Sequence, residues 1–264
     1  MAGFMDILGS MVQQGMSQSS GVRMSNALGA GKSGGSLNDI MDSLSQMMGG
    51  EKTAQRQPTQ AGPSGLGGVL GDVLSSLGNN KAAVGGLGAL VGAMLGGGSS
   101  SARGAVGGGS LAMLGSLAFS ALKNAGQAPE APPRALFEPQ NAEEQQTLER
   151  DAETIVKAMI NAAKADGRID DAEVQKIVGK LEKDGLTQEE NIFFRKEVQK
   201  PMDMDRVIRS AAGEPEMAAQ IYTASLLAIE IDTPAEEQYM QQLASRLGLA
   251  PQVTENIKSL LGLG

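Results

Sequence analysis

The chain has 264 residues, no Cys, His or Trp, and only 3% aromatic side chains. That composition excludes disulfides and thiolate chemistry and removes the commonest general base and metal ligand. The net charge of −8 is split: 6 acids against 8 bases precede Phe137 and 24 against 14 follow, so about +2 is succeeded by −10, a balance that argues against nucleic acid as a partner.

Residues 1–80 are low-complexity, with three copies of one short pattern. Phe4-x-Asp6-Ile7-Leu8-x-Ser10-Met11 recurs as Leu37-x-Asp39-Ile40-Met41-x-Ser43-Leu44 and as Leu70-x-Asp72-Val73-Leu74-x-Ser76-Leu77, with the aspartates 33 residues apart each time. Apolar residues at i, i+3, i+4 and i+7 make a helical stripe in each copy, too short to stand alone in water. The stripes are expected to lie on a membrane surface or to self-associate. Gly29-Ala30-Gly31-Lys32-Ser33 imitates the end of a phosphate-binding loop, but Asn26 stands where the first glycine is required and no strand precedes it.

Residues 81–123 form a Gly-rich stretch in which Arg103 divides 21 uncharged residues from 19. Both lengths approach the roughly 20 residues of a membrane-spanning helix. Gly88, Gly92 and Gly96 in the first half, and Gly104, Gly108, Ala112, Ser116 and Ser120 in the second, make small-residue ridges at i, i+4 spacing. A close-packed membrane hairpin is expected, with both chain ends in the cytoplasm because Lys81, Lys123 and Arg134 flank it. A large side chain at Gly92, on the first ridge, is expected to push the two helices apart, and one at Gly115, off the second ridge, to matter less. Residues 124–140, with Pro129, Pro132 and Pro133, read as a stiff linker holding the following domain away from the membrane.

Residues 141–264 read as a compact all-α domain of about seven helices, because no alternating strand pattern competes. Leu148, Ala152, Ile155, Met159 and Ala162 mark the first helix, ended by Asp166-Gly167. The second starts at Asp171, the third at the Thr187-x-x-Glu190 box, and the fourth after Asp203. Pro215 opens a long apolar fifth, Thr233-Pro234-Ala235-Glu236 caps the sixth, and Pro251 starts the seventh.

Two turns of this domain resemble one another at an offset of 63, Ala165 to Glu173 and Ala228 to Glu236. Capping accounts for Asp170, Glu173, Thr233 and Glu236 but leaves surplus acids. Asp166-Gly167-x-Ile169-x-x-x-Glu173 also reproduces the second half of an EF-hand loop, while Ala162 and Lys164 occupy the first two ligand positions and exclude an ordinary site. A divalent cation would therefore need Asp166, Asp170 and Glu173 from one turn and Glu230, Asp232 and Glu236 from the other.

Ala163 to Glu173, together with Ala228 to Met240, resembles the signature of tellurite-resistance TerB-like domains, and the Gly-rich segment ahead of it resembles the YebE-like inner membrane proteins of bacteria. The resemblance implies an all-helical domain with a clustered acidic face proposed to bind metal, at the bacterial inner membrane; with the flanking charges above, the C-terminal domain is expected on the cytoplasmic side. The expected function is a non-enzymatic, membrane-anchored module in envelope stress or metal response, with a protein partner. The alternative is a soluble scaffold that self-associates into homo-oligomers. No group is placed as a nucleophile beside a base, which argues against an enzyme.

Overall fold

A computed structural model describes residues 3–14, 19–27, 102–127, 129, 131–137, 139–167 and 188–263. Among them are nine α-helices, one 3-10 turn and no strand, as expected of an all-α chain. The helices are α1 (Phe4–Gln14), α2 (Ser20–Ala27), α3 (Ala102–Asn124), α4 (Ala142–Ala162), α5 (Gln188–Gln199), α6 (Met204–Ser210), α7 (Pro215–Ala228), α8 (Pro234–Arg246) and α9 (Pro251–Leu260). The 3-10 turn, Arg134–Leu136, lies between α3 and α4.

Local chemistry sets most of these boundaries. The Asn141 side chain accepts from Glu144 N at 2.9 Å to open α4, and Asp203 accepts from Arg206 N at 2.9 Å to open α6. At α8 the box is complete: Thr233 Oγ1 accepts from Glu236 N and Glu236 Oε2 accepts from Thr233 N, with Pro234 at the first helical position. The second expected helix, from Asp171, lies outside the described residues.

The centre of the fold is α3, together with α7. Leu111, Leu114, Leu117, Ala118 and Leu122 are buried, and so are Ser110, Ser116 and Ser120. Its neighbours are α1, α7, α9 and the 3-10 turn. A helix apolar on every side must be covered on every side, by lipid or by protein. Here the cover is protein. The second half of the expected membrane hairpin is therefore the core helix of the domain, and its small residues admit neighbouring helices of the same chain.

No helix among the described residues is long and apolar enough to cross a membrane. The transmembrane reading of α3 and the inner-membrane location built on it are overturned; the first half of the expected hairpin, residues 81–101, lies outside the described residues.

Two further expectations change with α3. Leu136 of the linker is buried against Ala112 and Phe119, so residues 131–137 belong to the body rather than spacing it from a surface. Gly115 is where this linker lands: a Cβ built there would sit 2.9 Å from Pro133 Cβ, so the position has no room for a larger side chain.

The first stripe of the N-terminal region is α1, and it is part of the same core. Ile7, Leu8 and Met11 are fully buried, with Met5 and Val12 at its margins. The other two stripes lie outside the described residues.

Candidate functional site

Of the six acids expected to converge, Asp166, Glu230, Asp232 and Glu236 are described, and Asp170 and Glu173 are not. Asp166 is exposed in the turn after α4, ahead of Gly167, whose φ of +134° only glycine adopts freely. Among the described residues no three acids are grouped so as to hold a metal ion.

The second turn has its own occupation. Glu236 Oε2 accepts from Asp232 N at 3.2 Å, from Thr233 N at 3.0 Å and from Thr233 Oγ1 at 2.8 Å, so this buried carboxylate is committed to capping α8. Its hydrogen bond and charge hold the exposed Asp232 carboxyl above the usual carboxylate range.

A positive charge nevertheless reaches this turn, from a residue that spacing arguments did not single out. Arg23 of α2 is 5% exposed, and its Nη1 donates to the carbonyl oxygens of Leu226 and Ile229. Three residues earlier, Ser20 Oγ donates to Leu227 O at 2.8 Å. These carbonyls close the C-terminal end of α7, where the last turn leaves acceptors unpaired and the helix dipole is negative. Burial pushes the Arg23 guanidinium down, and the charges of Glu230 and Glu236 oppose that shift. The second acidic turn thus faces a guanidinium from the far end of the chain.

Arg23 belongs to a longer attachment. α1 packs on α3 and α4, burying Ile7, Leu8 and Met11, with the Phe4 ring edge-on to Phe193 at 4.8 Å between centroids and 80° between planes. Glu190 Oε1, on the first turn of α5, accepts from Gly3 N at 2.9 Å, and Glu149 Oε2 of α4 accepts from Met5 N at 3.4 Å. Two carboxylates thereby receive the unpaired amides at the start of α1. At the other end Asn26 Nδ2 donates to Leu261 O at 3.3 Å, just before Gly262, where any Cβ would collide with Asn26.

The arm formed by α1 and α2 is therefore held as a ligand is held. It has an apolar stripe in the middle, carboxylates of the body on its N-terminal amides, and its own donors on the ends of α7 and α9. Arg23 Nε is buried without a hydrogen-bond partner, so docking leaves one donor desolvated. The sequence showed the stripe but gave no signal for Ser20, Arg23 and Asn26, whose partners are backbone carbonyls more than 200 residues away.

A second buried cation lies at the end of α4. Lys164 is 6% exposed and its Nζ donates to Glu197 O at 2.8 Å and Lys200 O at 2.7 Å, closing α5. Burial pushes its ammonium down while Glu197 opposes. Glu197 also pairs with Lys200 and Arg206, and Asn161 links Tyr239 OH to Asp203 N. The basic residue that spoils an EF-hand reading of this turn is a structural cap.

Among the described residues the most perturbed carboxylate is Asp151, which burial pushes up to about 6 against the pull of Arg134. It lines a cavity of about 30 Å³ with Leu111, Arg134, Glu214 and Glu216. That volume is on the scale of a water or two, too small for a substrate.

Comparison with known proteins places these features. The family described as "Protein of unknown function (DUF533)" matches residues 77–261, which include α3 to α9 and leave out α1 and α2. The chain is also 24% identical over 121 residues to an "Uncharacterized protein in ampR 5'region" of Yersinia enterocolitica, covering 46% of this chain and 86% of that protein. No solved structure matches.

Proposed function

We propose that this chain, which belongs to the DUF533 family, is a non-enzymatic, TerB-like receptor for short amphipathic helices, with its own α1–α2 arm as the resident ligand. The observation that carries the reading is the seating of α1. An 11-residue helix buries Ile7, Leu8 and Met11 of its stripe completely on α3 and α4, although 74 residues, 28–101, separate the arm from the rest of the body. A helix this short is marginal in water and takes its stability from the groove that receives it. Anchors at i, i+3, i+4 and i+7 are the grammar of helix-in-groove recognition.

The TerB-like part of the proposal rests on the two acid-rich turns and on the all-helical body. In this reading the second turn takes its positive charge from Arg23, so docking of the arm does what a bound cation was expected to do. Tethering makes that docking intramolecular, which favours it without any additional contact.

The test is a titration of a labelled peptide spanning residues 3–27 into the full chain carrying Ile7→Glu and Met11→Glu, which removes its own arm from competition. The variant binds the peptide saturably and regains thermal stability in its presence, while the wild-type chain, already filled, binds far less. Equal uptake by both chains, or none by the variant, contradicts the proposal.

A further inference from the structure

We infer that the groove has a second ligand in the same chain, residues 37–56, which enters when α1 leaves; the inference rests on the receptor reading above. It starts from the residues by which the arm is seen to bind. Phe4, half-buried, and Ile7, Leu8 and Met11, fully buried, line the groove, Asp6 lies in the first turn of α1, and Ser20 and Arg23 close α7. At a constant offset of 33 these become Leu37, Ile40, Met41, Leu44, Asp39, Thr53 and Arg56. Each of these four apolar residues of the stripe is replaced by another apolar residue, the kind of exchange packed sites accept best. The hydroxyl and the guanidinium, the two donors that reach the carbonyls of α7, recur at the same spacing from the stripe.

The match at Thr53 and Arg56 has weight because the stripe alone does not require it. A stretch that merely repeats an apolar pattern has no reason to repeat a Ser/Thr-x-x-Arg pair 16 residues after the first anchor. The third stripe tests this: offset again by 33, Ser20 and Arg23 fall on Gly86 and Ala89, so residues 70–77 retain the apolar anchors and lack the cap. The groove's chemistry therefore selects the second copy over the third.

The differences between the first and second copies rank them. Met5 and Val12 of α1 and Ala27 of α2, all buried, correspond to Asn38, Ser45 and Gln60. Losing them weakens a peptide of residues 36–60 at least about 100-fold relative to residues 3–27, at about tenfold for each of the two larger side chains. With both segments tethered to one groove, the first holds it and the second stays out until the first is removed. A partner that captures α1 then meets a body whose groove is refilled rather than left as an exposed apolar trough.

Hydrogen exchange of the full chain reads this directly. The reference is the exchange rate of the amides of residues 37–56 in the wild type, where α1 holds the groove. In the Ile7→Glu, Met11→Glu chain they slow at least tenfold, independently of protein concentration, and Ile40→Glu with Arg56→Glu restores the wild-type rate. Arg23→Glu, which leaves the apolar anchors intact, is the milder variant should the first fail to fold, and gives the same change to a smaller degree. Exchange at the wild-type rate at 37–56 in a variant that still binds the 3–27 peptide overturns the second ligand and leaves the receptor standing. A variant that binds no peptide removes both. Protection that grows with concentration overturns the inference too, by showing that the segment enters a second copy of the chain.

Discussion

The C-terminal ends of α5 and α7 are closed by the same device brought from different distances. In each, a buried basic side chain donates to two backbone carbonyls, Lys164 to those of Glu197 and Lys200, Arg23 to those of Leu226 and Ile229. Lys164 stands one turn beyond α4, within the stretch matched by the family, and is tied into Glu197 and its ion pairs. Arg23 comes from an arm outside that stretch and brings a donor with no partner. On the receptor reading the same bond is structural at one helix end and a binding contact at the other.

Removing apolar volume from the two sides should separate them most. Leu114→Ala in α3, where the site is fully buried, costs about 3 kcal/mol in chemical denaturation. Leu8→Ala in α1, equally buried, costs less, and combining it with Ile7→Ala adds less than the sum, because the loss is capped by the free energy of arm docking. Additive losses on both sides would break the distinction.

The caps themselves come next. Lys164→Met leaves the backbone carbonyls of Glu197 and Lys200 without their buried donor and costs about 3 kcal/mol by the same measurement. Arg23→Met costs about 1 kcal/mol and releases the arm while α4 and α5 stay folded, a difference visible in limited proteolysis before Ala27. Gly115→Leu, by driving a side chain into Pro133, destabilises the body by roughly 1–3 kcal/mol with the arm still bound.

The smallest effect sharpens the comparison from the acidic side. Asp151 is buried without compensation equal to that of Lys164, and its carboxyl keeps its proton up to about pH 6. Because the folded chain then holds a proton that the unfolded chain has given up, the stability of the neutral form is full below the ordinary carboxylate range and is lost as pH rises through about 6. Asp151→Asn should match wild type in thermal melts near pH 4 and exceed it at pH 7. A constant offset between the two chains at all pH values would show that Asp151 is not the group responsible.

Much of the body was legible because its helix ends are written locally. Asn141, Asp203 and the Thr233 to Glu236 box each satisfy amides three residues away, so residue order and spacing suffice to find them. What spacing cannot supply is the identity of the medium around an apolar helix. α3 has the length and small-residue ridge of a membrane span, and only the arrival of α1, α7, α9 and Leu136 around it shows that its surroundings are protein. The acidic turn was readable as surplus charge, whereas its answering charge, Arg23, lies about two hundred residues earlier and binds carbonyls, which have no sequence signature.

A separable arm docked on a body that stands without it is visible at single amides to native-state hydrogen exchange of the wild-type full chain. The amides of Leu8 and Met11 in α1 are expected to exchange through an opening of lower free energy than those of Leu114 in α3 and Ile155 in α4, with low denaturant revealing the arm as its own cooperative unit. If α1 exchanges only through the same global opening as α3 and α4, the arm is an inseparable part of the core and the receptor reading is contradicted.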